Sequence, residues 1–258
     1  MSEVEFILKK ADEYWLGVKS VLQTVSDMRA DFNQNFYCAE SWQNPIPDLK
    51  IYDWALSVRS NLISFVTSRV LQLMDIKNLH VDMEEISALL NDEVGENNFD
   101  AKTLFEILKE KYLDNAEEIA FSQILDKARR CVNDRVYDDE IEGWRPVKPE
   151  EIVKNSTLIL HRYADEYYPQ AFIDDFSAVE KLIRIIAGKE TAIKAKIPFT
   201  STVLFKEMVF DRNIWGKHQG NLSTYPIMSV TVHKNGKVKV RLTSSTIAKK
   251  VAEKLLEG

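Results

Sequence analysis

Apolar residues recur at helical spacing from the first turn of the chain. Val4, Ile7, Ala11, Trp15, Val18, Leu22 and Val25 fall on one stripe, which predicts a helix reaching about Ala30. Its start is marked by Ser2-Glu3-Val4-Glu5, a capping box in which the serine hydroxyl accepts from the first turn and the glutamate reaches back. Residues 31–50, with Asn44-Pro45-Ile46-Pro47-Asp48, predict a loop, because each proline removes a donor and holds its predecessor extended. A second long helix is expected over Ile51 to Met74 with Trp54, Val58, Leu62, Phe65 and Leu73 turned inward. Asp82, Asp100 and Asp114 each stand where a further helix would begin. No fixed period links these segments, which argues against a helical solenoid.

The pattern changes after Val136. The run Asp138-Asp139-Glu140-Ile141-Glu142-Gly143-Trp144-Arg145-Pro146 is read as an acidic connector, and the boundary is placed there. Thr157-Leu158-Ile159-Leu160 is short and continuously apolar, as a buried strand would be. Ser177-Ala178-Val179-Glu180 has the form of another capping box. It would open a helix with Leu182, Ile185 and Ile186 inward and Gly188 as its stop, with Asp174 and Asp175 just ahead of its positive end. A further helix is expected within Thr200 to Phe210.

The clearest local signal is a hairpin over Met228–Thr243. A two-residue turn, Asn235-Gly236, would set the valines of the two strands on opposite faces. A three-residue turn, Lys234-Asn235-Gly236, pairs Val232 with Val238, Val230 with Val240 and Met228 with Leu242. One face is then wholly apolar, which selects that register, with Gly236 in the left-handed position of a G1 bulge. The other face carries Ser229, Thr231 and His233 against Lys237, Lys239 and Arg241. Ser244 or Ser245 then caps a last helix with Ile247, Val251 and Leu255 inward and Lys249, Lys250 and Lys254 outward. The expected fold class is α+β: an acidic helical domain over 1–140, then a basic domain over 141–258 with a small antiparallel sheet and flanking helices.

Charge sharpens that division. The net charge is −6, yet residues 1–150 carry 17 Lys and Arg against 29 Asp and Glu, while residues 181–258 carry 15 against 5. Such polarity fits an anionic partner for the basic end, docking of one half on the other, or head-to-tail assembly. The chain has 8 glycines and 7 prolines, too few for long linkers. Its acidic start does not resemble a signal peptide, and no apolar run approaches the roughly eighteen residues of a membrane span. Cys38 and Cys131 stand on ordinary segments, where reduced thiols are the default. A cytoplasmic protein without membrane attachment is expected.

His80, His161, His218 and His233 match no metal-ligand spacing, and neither cysteine lies in a C-x-x-C pair. Gly188-Lys189-Glu190-Thr191 resembles the end of a phosphate loop, but Ile183 stands where the first glycine is needed and the pair closes a helix rather than opening one. Asp48, Asp75 and Lys77 imitate a nuclease constellation, yet a whole helix separates the two carboxylates. The cluster Asp138, Asp139, Glu140 and Glu142 lacks calcium-loop spacing and reads as a solvated connector. No catalytic residue, metal or cofactor is assigned, and a non-enzymatic role is expected. Trp215 beside Arg212, Lys217 and His218 is the best spot for stacking on a base, although core closure by Phe210, Ile214 and Trp215 is the favoured reading. The strongest feature is cationic: Lys234, Lys237, Lys239, Arg241, Lys249, Lys250 and Lys254 crowd the last 25 residues, and phosphate contacts need only loosely spaced cations.

Three blocks carry a resemblance. Phe176 to Lys189, Gly143-Trp144-Arg145 followed by Asn155 to Leu160, and Val230 to Val240 resemble the corresponding blocks of domain-of-unknown-function family 4942, over about residues 100–258. Where the family's hairpin carries a polar residue and a histidine after the turn, this chain has Lys237 and Lys239. The resemblance implies a phage or mobile-element setting, the family being sometimes joined to DNA methyltransferases, and supplies no catalytic residues. Two roles follow as expectations. One is an accessory protein contacting DNA or RNA through its basic C-terminal surface; the other is a module that binds a host or phage protein, inhibiting or scaffolding a host defence or DNA-processing complex, and assembles as a homo-oligomer.

Overall fold

The capping box at the start of the chain forms: Ser2 N–H donates to Glu5 Oε2 at 2.6 Å and Glu5 N–H to Ser2 Oγ at 3.2 Å. From it α1 runs Glu3–Phe36, past the expected end at Ala30, because residues 31–36 contain no glycine or proline to stop it. The computed structural model describes residues 2–36, 50–163, 169–211 and 219–257. The turn expected at Asn44–Asp48 lies outside them.

Helix α2, Lys50–Leu73, packs on α1, and its facing corrects the expectation. Its buried stripe is Ala55, Arg59, Ile63, Val66 and Val70, whereas Trp54 is 44% and Phe65 58% exposed. Two adjacent stripes of α2 are apolar enough to compete, and the one that wins contains an arginine. Arg59 is buried with its Nε donating to Asn98 O at 2.6 Å and Nη2 to Asn91 Oδ1 at 2.6 Å, so its polar groups are satisfied inside. Helix α3, Met83–Val94, begins at Asp82, whose side chain accepts from Glu84 and Glu85 N–H. Helix α4, Ala101–Leu108, begins at Asp100, which accepts from Thr103 N–H, and runs into a π turn over Lys109–Leu113. These elements form one compact unit, residues 1–76 and 81–115.

Residues 77–80 and 116–258 form a second unit. Helix α5, Ala116–Arg129, belongs to it, although it precedes the charge change near residue 140. Its Ala116, Ala120, Ile124 and Ala128 are buried and it packs on a later helix, so packing rather than surface charge sets the division. The acidic connector is itself structured. Strands β1, Arg135–Asp138, and β2, Gly143–Pro146, pair antiparallel with Tyr137 opposite Trp144. After α6, Pro149–Ile152, come β3, Val153–Lys154, and β4, Thr157–Tyr163, which contains the expected buried strand.

Helix α7, Pro169–Ile186, starts well before the Ser177 box proposed for it. Ser177 is a mid-helix residue whose hydroxyl donates to Ile173 O at 2.6 Å, and Asp174 and Asp175 lie inside the helix. Glu180 caps nothing in its own helix. It is fully buried and accepts from Phe199 N–H at 3.0 Å, Thr200 N–H at 3.0 Å and Thr200 Oγ1 at 2.9 Å. A serine and a glutamate three apart satisfy each other only at a helix start; within a helix those amides are already bonded. Gly188 does end this helix, at φ +66°, with Lys189 N–H donating to Arg184 O at 3.1 Å.

Helix α8, Val203–Phe210, is capped by Thr202. Strands β5, Gln219–Thr224, β6, Ile227–Val232, and β7, Lys237–Leu242, lead to α9, Ser245–Leu256, whose cap is Ser244 accepting from Thr246 N–H. The five strands form an antiparallel sheet ordered β3-β4-β7-β6-β5. Together with the helices this is an α+β fold. Among the described residues no helix is long and apolar enough to cross a membrane.

Candidate nucleic-acid interface

The hairpin takes the three-residue register. Val232 lies opposite Val238 and Val230 opposite Val240. Gly236 sits at φ +80°, and His233 N–H donates to Lys237 O at 2.8 Å to close the turn. One pairing differs: a bulge between Ile227 and Ser229 sets Ile227, not Met228, against Leu242, and leaves Met228 exposed. Ile227 is buried there, so the bulge keeps an apolar residue on the inner face.

Strand β4 extends that face on the other side of β7, with Leu158 opposite Val240 and Leu160 opposite Val238. All of these residues are buried. Helix α9 touches β3, β4 and β7 and buries its own Ala248, Val251, Ala252 and Leu255. An apolar helix face covers an apolar sheet face, so α9 lies on the valine side. The opposite side keeps Thr157, Ile159 and Thr231 half-buried and Ser229 buried, with Arg241 exposed.

On that side the central strand carries Lys237 and Lys239, each half-buried, and Arg241, which is exposed. Residues two apart on a strand repeat every ~7 Å, which gives a straight row of three cations down the middle of the sheet. None of the three forms an ion pair among the described residues. Lys237 and Lys239 flank His233, whose imidazole is pushed below its ordinary value first by burial and then by the charges of Lys239 and Lys237. Its Nε2 is buried with no hydrogen-bond partner among the described residues. Lys234 is exposed at the turn.

The remaining expected cations do not join this row. Lys249 and Lys250 are exposed on α9, and because α9 covers the apolar face they stand on the far side of the sheet. Lys254 is paired with Glu257 at 2.5 Å. The single continuous basic surface expected from sequence is therefore two groups on opposite sides of one layer. Proximity in sequence misleads here because the chain leaves the end of the central strand at Leu242 and turns into α9 on the other face by Ser245. Arg212, Trp215 and Lys217 lie outside the described residues.

Elsewhere in this unit, Arg145 Nε meets Asp138 Oδ2 at 2.6 Å and its Nη1 and Nη2 clamp Glu151 at 2.8 and 2.7 Å. The guanidinium lowers both carboxyls, Glu151 to about 2. The Gly143-Trp144-Arg145 block thus ties the β1–β2 ribbon to the start of α6, a structural task. Among the described residues no group of three His, Cys, Asp or Glu is placed to hold a metal ion. Sequence reading missed a cleft of about 370 Å³ lined by Lys77, Lys127 and Lys181; its residues come from three separate segments and share no motif.

No family model matches the chain, and no curated protein or solved structure matches it either.

Proposed function

We propose that the protein is a non-enzymatic accessory protein of phage or mobile DNA that contacts nucleic acid through the face of its C-terminal sheet that carries Lys237, Lys239 and Arg241. The row of Lys237, Lys239 and Arg241, with no carboxylate paired to it among the described residues, carries this reading. The mobile-element setting rests on the sequence resemblance in the same region. Three phosphate contacts give a log–log salt slope of about −2.1 to −2.7, so raising salt from 50 to 200 mM weakens binding by roughly 20- to 40-fold. The test is fluorescence anisotropy with labelled single-stranded DNA, duplex DNA and RNA at both salt concentrations. The triple variant K237E/K239E/R241E loses binding, and K249E/K250E on the far side retains it. Absence of binding at 50 mM salt, or equal loss in the two variants, sinks the assignment to this face.

A second reading has its own observation in the first unit. Tyr14, Val21 and Met28 recur every seven residues on the exposed side of α1, and Trp54 and Phe65 are exposed on α2. Unpartnered apolar residues at helical spacing suit a helical partner or a second copy of the chain. Sedimentation at several protein concentrations tests the latter; a concentration-independent monomer argues against self-association.

A further inference from the structure

The second unit contains a cationic cleft remote in sequence from the sheet row. Its first wall is the segment 77–80, pinned by hydrogen bonds. Lys77 N–H donates to Ile193 O at 2.9 Å, and Asn78 Nδ2 donates to Ala192 O and Ala195 O, each at 2.8 Å. His80 exchanges two bonds with the Gln123 side chain, His80 N–H to Gln123 Oε1 and Gln123 Nε2 to His80 O, both at 2.8 Å. The second wall is α5, through Gln123 and Lys127, one turn apart. The third is α7, where Asp174, Ser177, Ala178 and Lys181 fall on one stripe. The amide groups of this frame are occupied in holding the walls together, so the cleft presents charge rather than amide donors.

That charge is unbalanced. Neither Lys127 nor Lys181 has a carboxylate partner among the described residues. Asp174, the acidic group in the lining, accepts from Gln170 Nε2 at 2.8 Å. Lys181 is half-buried, and its ammonium is held below the usual lysine value first by burial and then by Lys127, with Glu180 pulling the other way. Lys127 and Lys181 line the same cleft, and like charges there, one partly withdrawn from water, repel each other. An anion between them turns both contributions favourable. The space, about 370 Å³, exceeds that of a bare ion and falls in the range of small-ligand sites. A dianion matches two ammonium groups, whereas a single carboxylate leaves one uncompensated.

We propose that this cleft binds a small phosphate-bearing anion, with its phosphate between the Lys127 and Lys181 ammonium groups. The shared chemistry is that of inorganic phosphate and of a compact phosphomonoester. Lysine recognises either as a point charge, without the planar fork of arginine.

Isothermal titration calorimetry of the full chain in low-salt buffer tests this with inorganic phosphate, glycerol 3-phosphate, succinate and chloride. Saturable one-to-one binding of inorganic phosphate or glycerol 3-phosphate is expected, weakened at least tenfold in K127Q and in K181Q and unchanged in K239Q. Tighter binding of glycerol 3-phosphate assigns the site to a phosphomonoester, and equal binding assigns it to the phosphate group alone. Because Lys181 is half-buried, K127Q at the exposed position keeps the test valid if K181Q does not fold. Phosphate heats no larger than those of chloride at matched ionic strength overturn the proposal. Succinate binding as tight as phosphate, or full binding in K127Q, does the same. Loss in K239Q with retention in K127Q would assign phosphate to the sheet row instead, against this proposal and in favour of the nucleic-acid reading.

Discussion

The two units each bury an ion among neutral partners, and they do it with opposite signs. In the first, Arg59 donates to a backbone carbonyl and to the Asn91 and Ser87 side chains. In the second, Glu180 accepts from two backbone amides and a hydroxyl. Burial pulls the arginine below its ordinary value and pushes the glutamate above its own. Their surfaces run the other way. The unit that buries a cation carries 10 Lys and Arg against 20 Asp and Glu, a net −10, while the unit that buries an anion carries 24 against 20, a net +4. The buried charge in each unit therefore serves its interior, by joining segments distant in sequence, and says nothing about what the surface meets. Function is to be sought in the unpaired surface groups.

Breaking either buried ion gives the largest expected effects. Glu180→Ala strands two backbone donors and a hydroxyl in the interior, and Arg59→Ala strands a carbonyl and an amide oxygen beside a new cavity. Each should cost about 3 kcal/mol of stability, read by urea denaturation. Glu180→Gln keeps an acceptor and should cost about half as much. Hydrogen exchange sharpens the comparison: Glu180→Ala should unprotect amides of α7 and residues 197–202, and Arg59→Ala those of α2 and α3. Stability changes below about 0.5 kcal/mol in both alanine variants would show that water replaces these bonds and would dissolve the parallel.

Local rules made much of the fold legible. Caps at Ser2, Asp82, Asp100 and Ser244, the stop at Gly188 and the register of the last hairpin all follow from neighbours within a few residues. Readings that needed distant partners failed. The stripe with Trp54 and Phe65 was expected to face inward on α2, because the Asn91 and Asn98 that receive Arg59 inside are more than thirty positions away. Ser177 and Glu180 looked like a helix start because Phe199 and Thr200, the residues that need that carboxylate, could not be placed. The candidate site was half legible for the same reason. Strand alternation fixed the row Lys237, Lys239 and Arg241, but only the packing of α9 reveals that Lys249 and Lys250 stand behind it.

A smaller effect concerns the sheet row alone. With His233 depressed by burial and by Lys239 and Lys237, the native state binds fewer protons there than the unfolded chain. This stability contribution is present above the ordinary histidine value of about 6.5 and is lost as pH falls below it. A polyanion on the lysines cancels part of their field and raises the imidazole, so binding takes up protons. Nucleic-acid affinity should accordingly rise between pH 7.5 and 6, and His233→Gln should flatten the profile. An equal rise in His233→Gln would assign the pH dependence to other groups.

The smallest expected effect separates the two stripes of α2. Phe65 is exposed and Ile63 is buried two residues away, although sequence periodicity favoured Phe65 for the core. Trp54→Ser and Phe65→Ser should each change stability by no more than about 0.5 kcal/mol, since neither leaves a cavity, whereas Ile63→Ala should cost about 3 kcal/mol. If self-association is detected by sedimentation, the two serine variants should abolish it while leaving the melting temperature of the monomer in place. A large loss of monomer stability in Phe65→Ser would return that ring to the core and remove the apolar stripe on which the second reading depends.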